Sequence, residues 1–154
     1  MNLIITKAKK RYLNECEKAL INSNLGKNYF SSKDSARNAL NEGLEKQELY
    51  VVLSEDRSFI GFFWLIMNGA FHSFPYLHII VVREEIRGQG YGKRILKEIE
   101  DMSFKNYSKL FLVVADFNHQ AKKLYEELGY KMVGFIPDLY KSGIGEQIMM
   151  KLKD

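Results

Sequence analysis

One cysteine, Cys16, stands in a chain of 154 residues, so no internal disulfide can form and the fold must rest on its core. Three histidines and that cysteine show no ligand spacing, which gives no reason to expect a metal centre. No charged segment followed by a long apolar stretch opens the chain. Export is therefore not expected, and the cytoplasm is the default compartment. The longest apolar run, residues 59–67, is about half of the roughly 20 needed to cross a bilayer. It reads as a buried strand, with no membrane partner. Repeats, low-complexity tracts and obvious linkers are also missing. What is present, 46% hydrophobic and 13% aromatic residues, suits a single domain over residues 1–154 with one packed core.

Net charge is +4, with a basic tract at Lys7, Lys9, Lys10 and Arg11 and further cations at Arg83, Arg87, Lys93, Arg94 and Lys97. Basic chains of this size can bind nucleic acid. Here each cluster is interleaved with Glu or apolar residues at helical spacing, and no nucleic-acid module is recognisable, so a solvated helix face is the simpler reading.

The most informative stretch is Arg87-Gly88-Gln89-Gly90-Tyr91-Gly92, which follows an apolar run at residues 77–82 and opens a helix-like run at 93–104. Glycines at alternate positions let the backbone curl tightly and leave N–H groups unobstructed at a helix N-terminus, where negative charge is also favoured. This is a cradle for a pyrophosphate. A Walker loop needs Gly four residues before Gly-Lys, then Ser or Thr, but Arg87 and Arg94 occupy those positions. A dinucleotide fold needs Gly-x-Gly-x-x-Gly, whereas the glycines stand at 88, 90 and 92. A kinase needs His-Arg-Asp and Asp-Phe-Gly, and Asp116-Phe117-Asn118 only imitates the latter.

Hydrophobic periodicity gives a strand at 3–6 and a helix at 8–22 with Ala8, Tyr12, Cys16, Ala19 and Leu20 on one stripe. A second helix follows Ser31-Ser32, with Ser31 and Asp34 spaced like a capping box and Ala36, Ala39, Leu40 and Leu44 as its apolar face. Residues 48–54, 58–67 and 76–82 read as an antiparallel meander, with Asn68-Gly69 as a turn. After the glycine turn come a helix buried through Ile95, Leu96, Ile99 and Met102 and a nearly continuous apolar strand at 109–115. A helix burying Ala121, Leu124, Tyr125 and Leu128 then ends at Gly129 as a left-handed cap, followed by strands at 130–136 and 146–152.

Arg87, Gly90 and Gly92 fit the Gln or Arg, two residues, Gly, one residue, Gly or Ala signature of the GNAT superfamily of acetyl-coenzyme A dependent N-acetyltransferases. The run from Asn118 through Tyr125 to Leu128-Gly129-Tyr130 fits its second block, and the chain resembles that family. The resemblance implies an α/β fold: a mixed, mostly antiparallel central sheet flanked by helices, in the order β-α-α-β-β-β-α-β-α-β-β. It also implies acetyl-CoA as cofactor. Arg87, Gly88, Gln89, Gly90, Tyr91, Gly92 and Lys93 would hold the phosphates, and the main chain of Ile80, Val81 and Val82 would pair with the pantetheine arm like an added strand. A backbone N–H near Val82 would then stabilise the oxyanion.

Acetyl transfer to an amine needs a neutral nucleophile and a proton for the departing thiolate. Tyr125 is the expected general acid, since a phenol with a pKa near 10 is protonated at neutral pH. A core tyrosine with a satisfied hydroxyl would occupy the same stripe. Asn118 either hydrogen-bonds the cofactor arm or caps its helix, a task Asp116 could perform instead. Some relatives carry a carboxylate five residues before the Asn; this chain has Val113 there. His78, which shares a strand face with Ile80 and Val82, is the replacement base, against the alternative of a buried, satisfied histidine. Glu84, Glu85, His72 and His119 are weaker candidates.

For the acceptor, the family analogy points to segments that supply Tyr29, Phe30, Phe71, Phe74, Tyr76 and Tyr140 but little acid beyond Asp34 and Asp138. An aromatic wall suits a single small arylalkyl amine, or a peptide N-terminus, better than a polycation. Two other functions stay open: a noncatalytic coenzyme A binding or sensing domain, and an enzyme modifying a ribosomal protein or aminoacyl-tRNA. Met149-Met150 in the last strand permits a homodimer.

Overall fold

A computed structural model describes residues 2–154. The strands are β1 (Ile4–Lys7), β2 (Leu49–Leu53), β3 (Phe59–Ala70), β4 (Phe74–Val82), β5 (Lys109–Ala115), β6 (Lys131–Lys141) and β7 (Ile144–Leu152). The helices are α1 (Leu13–Ile21), α2 (Asn24–Tyr29), α3 (Ser35–Glu45), α4 (Tyr91–Phe104) and α5 (His119–Glu127). The strands form one sheet in the order β1-β2-β3-β4-β5-β7-β6. β4 and β5 run parallel, while β1/β2, β2/β3, β5/β7 and β6/β7 are antiparallel. The expected mixed α/β architecture is therefore present, with one more short helix than expected. Among the described residues, no helix is long and apolar enough to cross a membrane.

The described residues fall into two compact units. One holds the chain through Leu65 together with Ile79–Ile99; the other holds Ile66–His78 and Glu100–Asp154. In the first, α1 buries Leu13, Cys16, Ala19 and Leu20, and α3 buries Ala36, Leu40 and Gly43, the last against the Trp64 indole. Burial pushes the Cys16 thiol up to about 12, so it stays protonated and inert. Val51, Val52, Phe62, Phe63, Val81, Ile95, Leu96 and Ile99 complete this core. In the second unit Leu77, Leu110, Leu112, Val114, Tyr130 and Met149 are buried, all at most 4% exposed. Glu100 is buried with them, where it accepts the Tyr130 hydroxyl at 2.9 Å and pairs with Lys151 at 2.8 Å.

Several local expectations change. The first helix begins at Leu13, after a 3₁₀ turn at Lys10–Tyr12, and ends at Ile21; Ser23 then caps the unforeseen α2 through a bond from Gly26 N–H at 3.0 Å. The capping box at Ser31 does not form, because Asp34 itself precedes α3 in a left-handed conformation without a side-chain cap. Asn68 and Gly69 lie inside β3. A Cβ at Gly69 would come within 2.9 Å of Tyr76 Cβ, so this glycine admits a neighbouring strand and turns nothing. The reversal falls at Phe71 and His72, both at positive φ, closed by Ser73 N–H to the Ala70 carbonyl at 3.0 Å, as in a type I′ hairpin.

Candidate functional site

The glycine turn joins β4 to α4 within the first unit. Gly88 (φ +78°) and Gly90 (φ +87°) adopt conformations that side chains resist, which bends the chain into the head of α4. The first bond closing the helix runs from Arg94 N–H to the Gly90 carbonyl at 3.2 Å. The N–H groups of Tyr91, Gly92 and Lys93 consequently have no acceptor inside the helix. A Cβ at Gly88, Gly90 or Gly92 would meet no atom within 4 Å, so the cradle is open. Gln89 and Lys93 are exposed beside it. The residues thus fit a diphosphate: free-standing donors, a helix dipole and open space.

Arg87 plays a part that the signature alone does not reveal. Its guanidinium donates to the carbonyls of Val82 at 2.8 Å, Asn22 at 2.9 Å and Ala19 at 3.2 Å. Asn22 and Ala19 belong to the carboxyl end of α1, where carbonyls lack helical partners and attract cations. Such bonds contribute about 1 kcal/mol each, which offsets the ordering of roughly two loop residues. Arg87 therefore shapes the turn. It also occupies part of the Val82 main chain that was expected to face a pantetheine arm.

β4 alternates strictly in burial: Leu77, Ile79 and Val81 are buried, whereas Tyr76, His78, Ile80 and Val82 are half-exposed. The shared face expected for His78, Ile80 and Val82 is present. The Val81 side chain points into the core face, so only its main chain remains for the expected pairing.

In the second unit, Asn118 is the N-cap of α5, its Oδ1 accepting from Ala121 N–H at 3.2 Å. The capping task is taken by its oxygen, leaving the amide nitrogen as the donor. Asp116 does not share that task; its Oδ2 accepts from Gly145 N–H at 3.1 Å and its N–H donates to the Gly145 carbonyl at 2.9 Å, pinning the start of β7. Tyr125 is half-buried, edge-on to Tyr130 with ring centroids 5.7 Å apart. Desolvation pushes its phenol up to about 12. The hydroxyl therefore stays protonated across the neutral range.

The same unit gathers Phe74, Tyr76, His78 and Tyr140. The hydroxyls of Tyr76 and Tyr140 share a hydrogen bond at 2.8 Å, and the His78 ring lies 5.7 Å from Tyr76 and 6.1 Å from Tyr140. Phe71 and Phe74 pack on Phe111, and Lys109 Nζ sits 4.8 Å over the Phe74 ring. Burial, then the charge of Glu146, raises the Tyr140 phenol against a lowering bond from Tyr76; burial raises Tyr76 most, with Tyr140 and Glu146 adding to it. Glu146 was read from the sequence only as the start of a strand. It is 3% exposed, and its being the single acidic residue of Ile144–Leu152 was the available signal.

Tyr29 ends α2 and Phe30 follows it, in the first unit. Val113 is half-buried and faces Ile148 across β5 and β7, so no carboxylate occupies that position. His119 opens α5 and His72 sits in the hairpin turn. Two members of the basic tract near the N-terminus are engaged within the fold: Lys7 donates to the Gln47 carbonyl at 2.7 Å and Arg11 stacks on Tyr12. Among the described residues, no three His, Cys, Asp or Glu side chains converge to hold a metal.

Comparison with known proteins agrees with this geometry. Residues 10–130 match the Acetyltransferase (GNAT) family. The thialysine N-epsilon-acetyltransferase of Bos taurus is 44% identical over 55 residues, 35% of this chain and 32% of that one. The matches to such curated relatives span about a third of their length. A GNAT-family acetyltransferase from Bacillus cereus superposes with a TM-score of 0.76 at 23% identity, covering 100% of this chain and 99% of that one. Spermidine N-acetyltransferase from Vibrio cholerae, solved with CoA and spermine, gives 0.77 at 23% identity over 97% and 95% of the two chains. Those two likenesses speak for the fold; the sequence match over residues 10–130, with an open glycine turn at the head of α4, establishes that the chain belongs to the acetyltransferase (GNAT) family.

Proposed function

We propose that this chain is an N-acetyltransferase acting as one domain, which moves an acetyl group from acetyl-CoA to a primary amine by direct attack. The observation that carries the reading is the open turn at Gly88, Gly90 and Gly92, whose main-chain donors suit the linked phosphates of coenzyme A. Acetyl-CoA supplies the activated thioester. Tyr125 holds a proton on its hydroxyl for the departing sulfur, a role favoured by a phenol that remains protonated through the neutral and mildly alkaline range. His78 takes the ammonium proton, directly or through water. Main-chain N–H groups at the end of β4 face the oxyanion.

The acceptor is a small arylalkyl or alkyl amine. The aromatic residues Phe74, Tyr76 and Tyr140 support this, as does the similarity to a thialysine N-epsilon-acetyltransferase. The test is release of free thiol from acetyl-CoA in the presence of small amines, peptides or aminoacyl-tRNA. Acetylation of a small amine, lost in Tyr125→Phe, is the expected result. Tight coenzyme A binding with no turnover on any acceptor would instead identify a sensing domain, the reading favoured by the apolar Val113.

A further inference from the structure

We infer that a second copy of this chain pairs with the outer edge of β6, antiparallel and about a two-fold axis between Val133 and Gly134, so that the two sheets become one. The inference is independent of the acetyltransferase reading. It also moves self-association away from Met149-Met150, because Met149 is 0% exposed.

β6 is the last strand of its sheet, and among the described residues no strand lies beyond it. Alternate main-chain N–H and carbonyl groups along that edge therefore face outward, ready to pair with another strand. The charges that commonly protect such an edge are missing from residues 132–137. Instead Met132, Val133 and Phe135 are 53%, 52% and 53% exposed. Half of a large side chain is roughly 100 Å², so two copies bring together about 600 Å² of apolar surface before the main chain is added. That is the scale of a reversible dimer rather than an obligate one.

The register follows from the face each side chain occupies. Lys131 and Ile136 stand opposite Met150 and Glu146 of β7, an even step apart, and so share one face; Met132 and Phe135 stand opposite Met149 and Gln147 and share the other. One extra residue, inserted where the register shifts between Met132 and Gly134, makes this possible. Opposite residues of an antiparallel pair point to the same side of the sheet. An axis between Val133 and Gly134 sets Lys131 against Ile136 and Met132 against Phe135, matching faces at both. Shifting it by half a residue either way would set Met132 against Gly134 or Ile136, which belong to the other face. The two Met132–Phe135 pairs then flank the axis with thioether against ring, and neither Lys131 faces its own copy. Pairing stops at Pro137, which has no N–H to donate.

The test uses the full chain without ligand. Sedimentation velocity from about 1 µM to about 500 µM should show the mass rising from one chain toward two, with half association in the tens of micromolar, roughly. Val133→Lys, at an exposed position beside the axis, should weaken association by roughly tenfold or more with the urea midpoint unmoved, since it brings like charges together. Cysteine cross-linking reads the register, because the native Cys16 is buried and stays protonated. Met132→Cys and Phe135→Cys, oxidised as a mixture, should give at least about fivefold more interchain disulfide than either variant alone, as only opposite positions come within bridging distance. A chain that stays monomeric at every concentration assigns the edge to some other occupant and overturns the inference. A dimer indifferent to Val133→Lys, or cross-linking as strong in the separate variants as in the mixture, overturns it as well.

Discussion

The glycine turn and the tyrosine cluster are built from opposite materials. At the turn, the useful groups are main-chain amides, and the surroundings are open at the three side-chain-free positions Gly88, Gly90 and Gly92. In the cluster, the useful groups are side chains from β4 and β6, Tyr76 and Tyr140, whose hydroxyls are tied to one another. A binding site made of backbone depends on vacancy. A site made of side chains depends on neighbours, so substitutions should fail in different ways in the two regions.

The largest effect is expected at Gly92→Val. Position 92 is helical and a Cβ there meets nothing, so folding should be unchanged within about 1 kcal/mol, whereas affinity for coenzyme A should fall by roughly a thousandfold as the donors are covered. Calorimetric titration beside a urea melt checks both halves, and equal loss of stability and binding would erase the contrast. Lys151→Met, in the second unit, should do the reverse. It strands the buried Glu100 and should lower unfolding free energy by about 3 kcal/mol in a urea melt, with Glu100→Gln in the same chain restoring most of it.

Tyr125→Phe should reduce kcat by about a hundredfold with the KM for acetyl-CoA unmoved, measured by thiol release. An unaltered kcat would return Tyr125 to a purely structural part. The smallest effect concerns pH. The Tyr125 phenol is about 12 when folded and near 10 when unfolded, so the folded state holds its proton more tightly. Its contribution to stability is complete below about pH 10 and declines as pH rises toward 12. A melting series across that window should show the decline in the wild type and a shallower one in Tyr125→Phe.

That difference in materials also explains what could be read from the sequence. Gly88, Gly90 and Gly92 advertise a local backbone shape, and the apolar run of β5 fixes its own ends at Lys109 and Ala115, so both were legible. Helix α2 was not: six residues with Gly26 in the middle carry too short an apolar stripe to register a period. Asn68-Gly69 has the composition of a hairpin turn, but packing against Tyr76 claimed the glycine and moved the reversal to Phe71-His72. The bond between the Tyr76 and Tyr140 hydroxyls was invisible because the two residues stand 64 positions apart, and no periodicity in β4 or β6 encodes that meeting.

Arg87, which grips Val82, Asn22 and Ala19 at once, makes the cradle a borrowed shape. Its curvature is templated by the last carbonyls of a helix some 65 residues earlier in the chain. A fragment starting after Asn22 would retain every letter of both family signatures and yet lose the strut beneath the first. Short peptides copied from this motif should accordingly be poor phosphate receptors, however faithful their spelling.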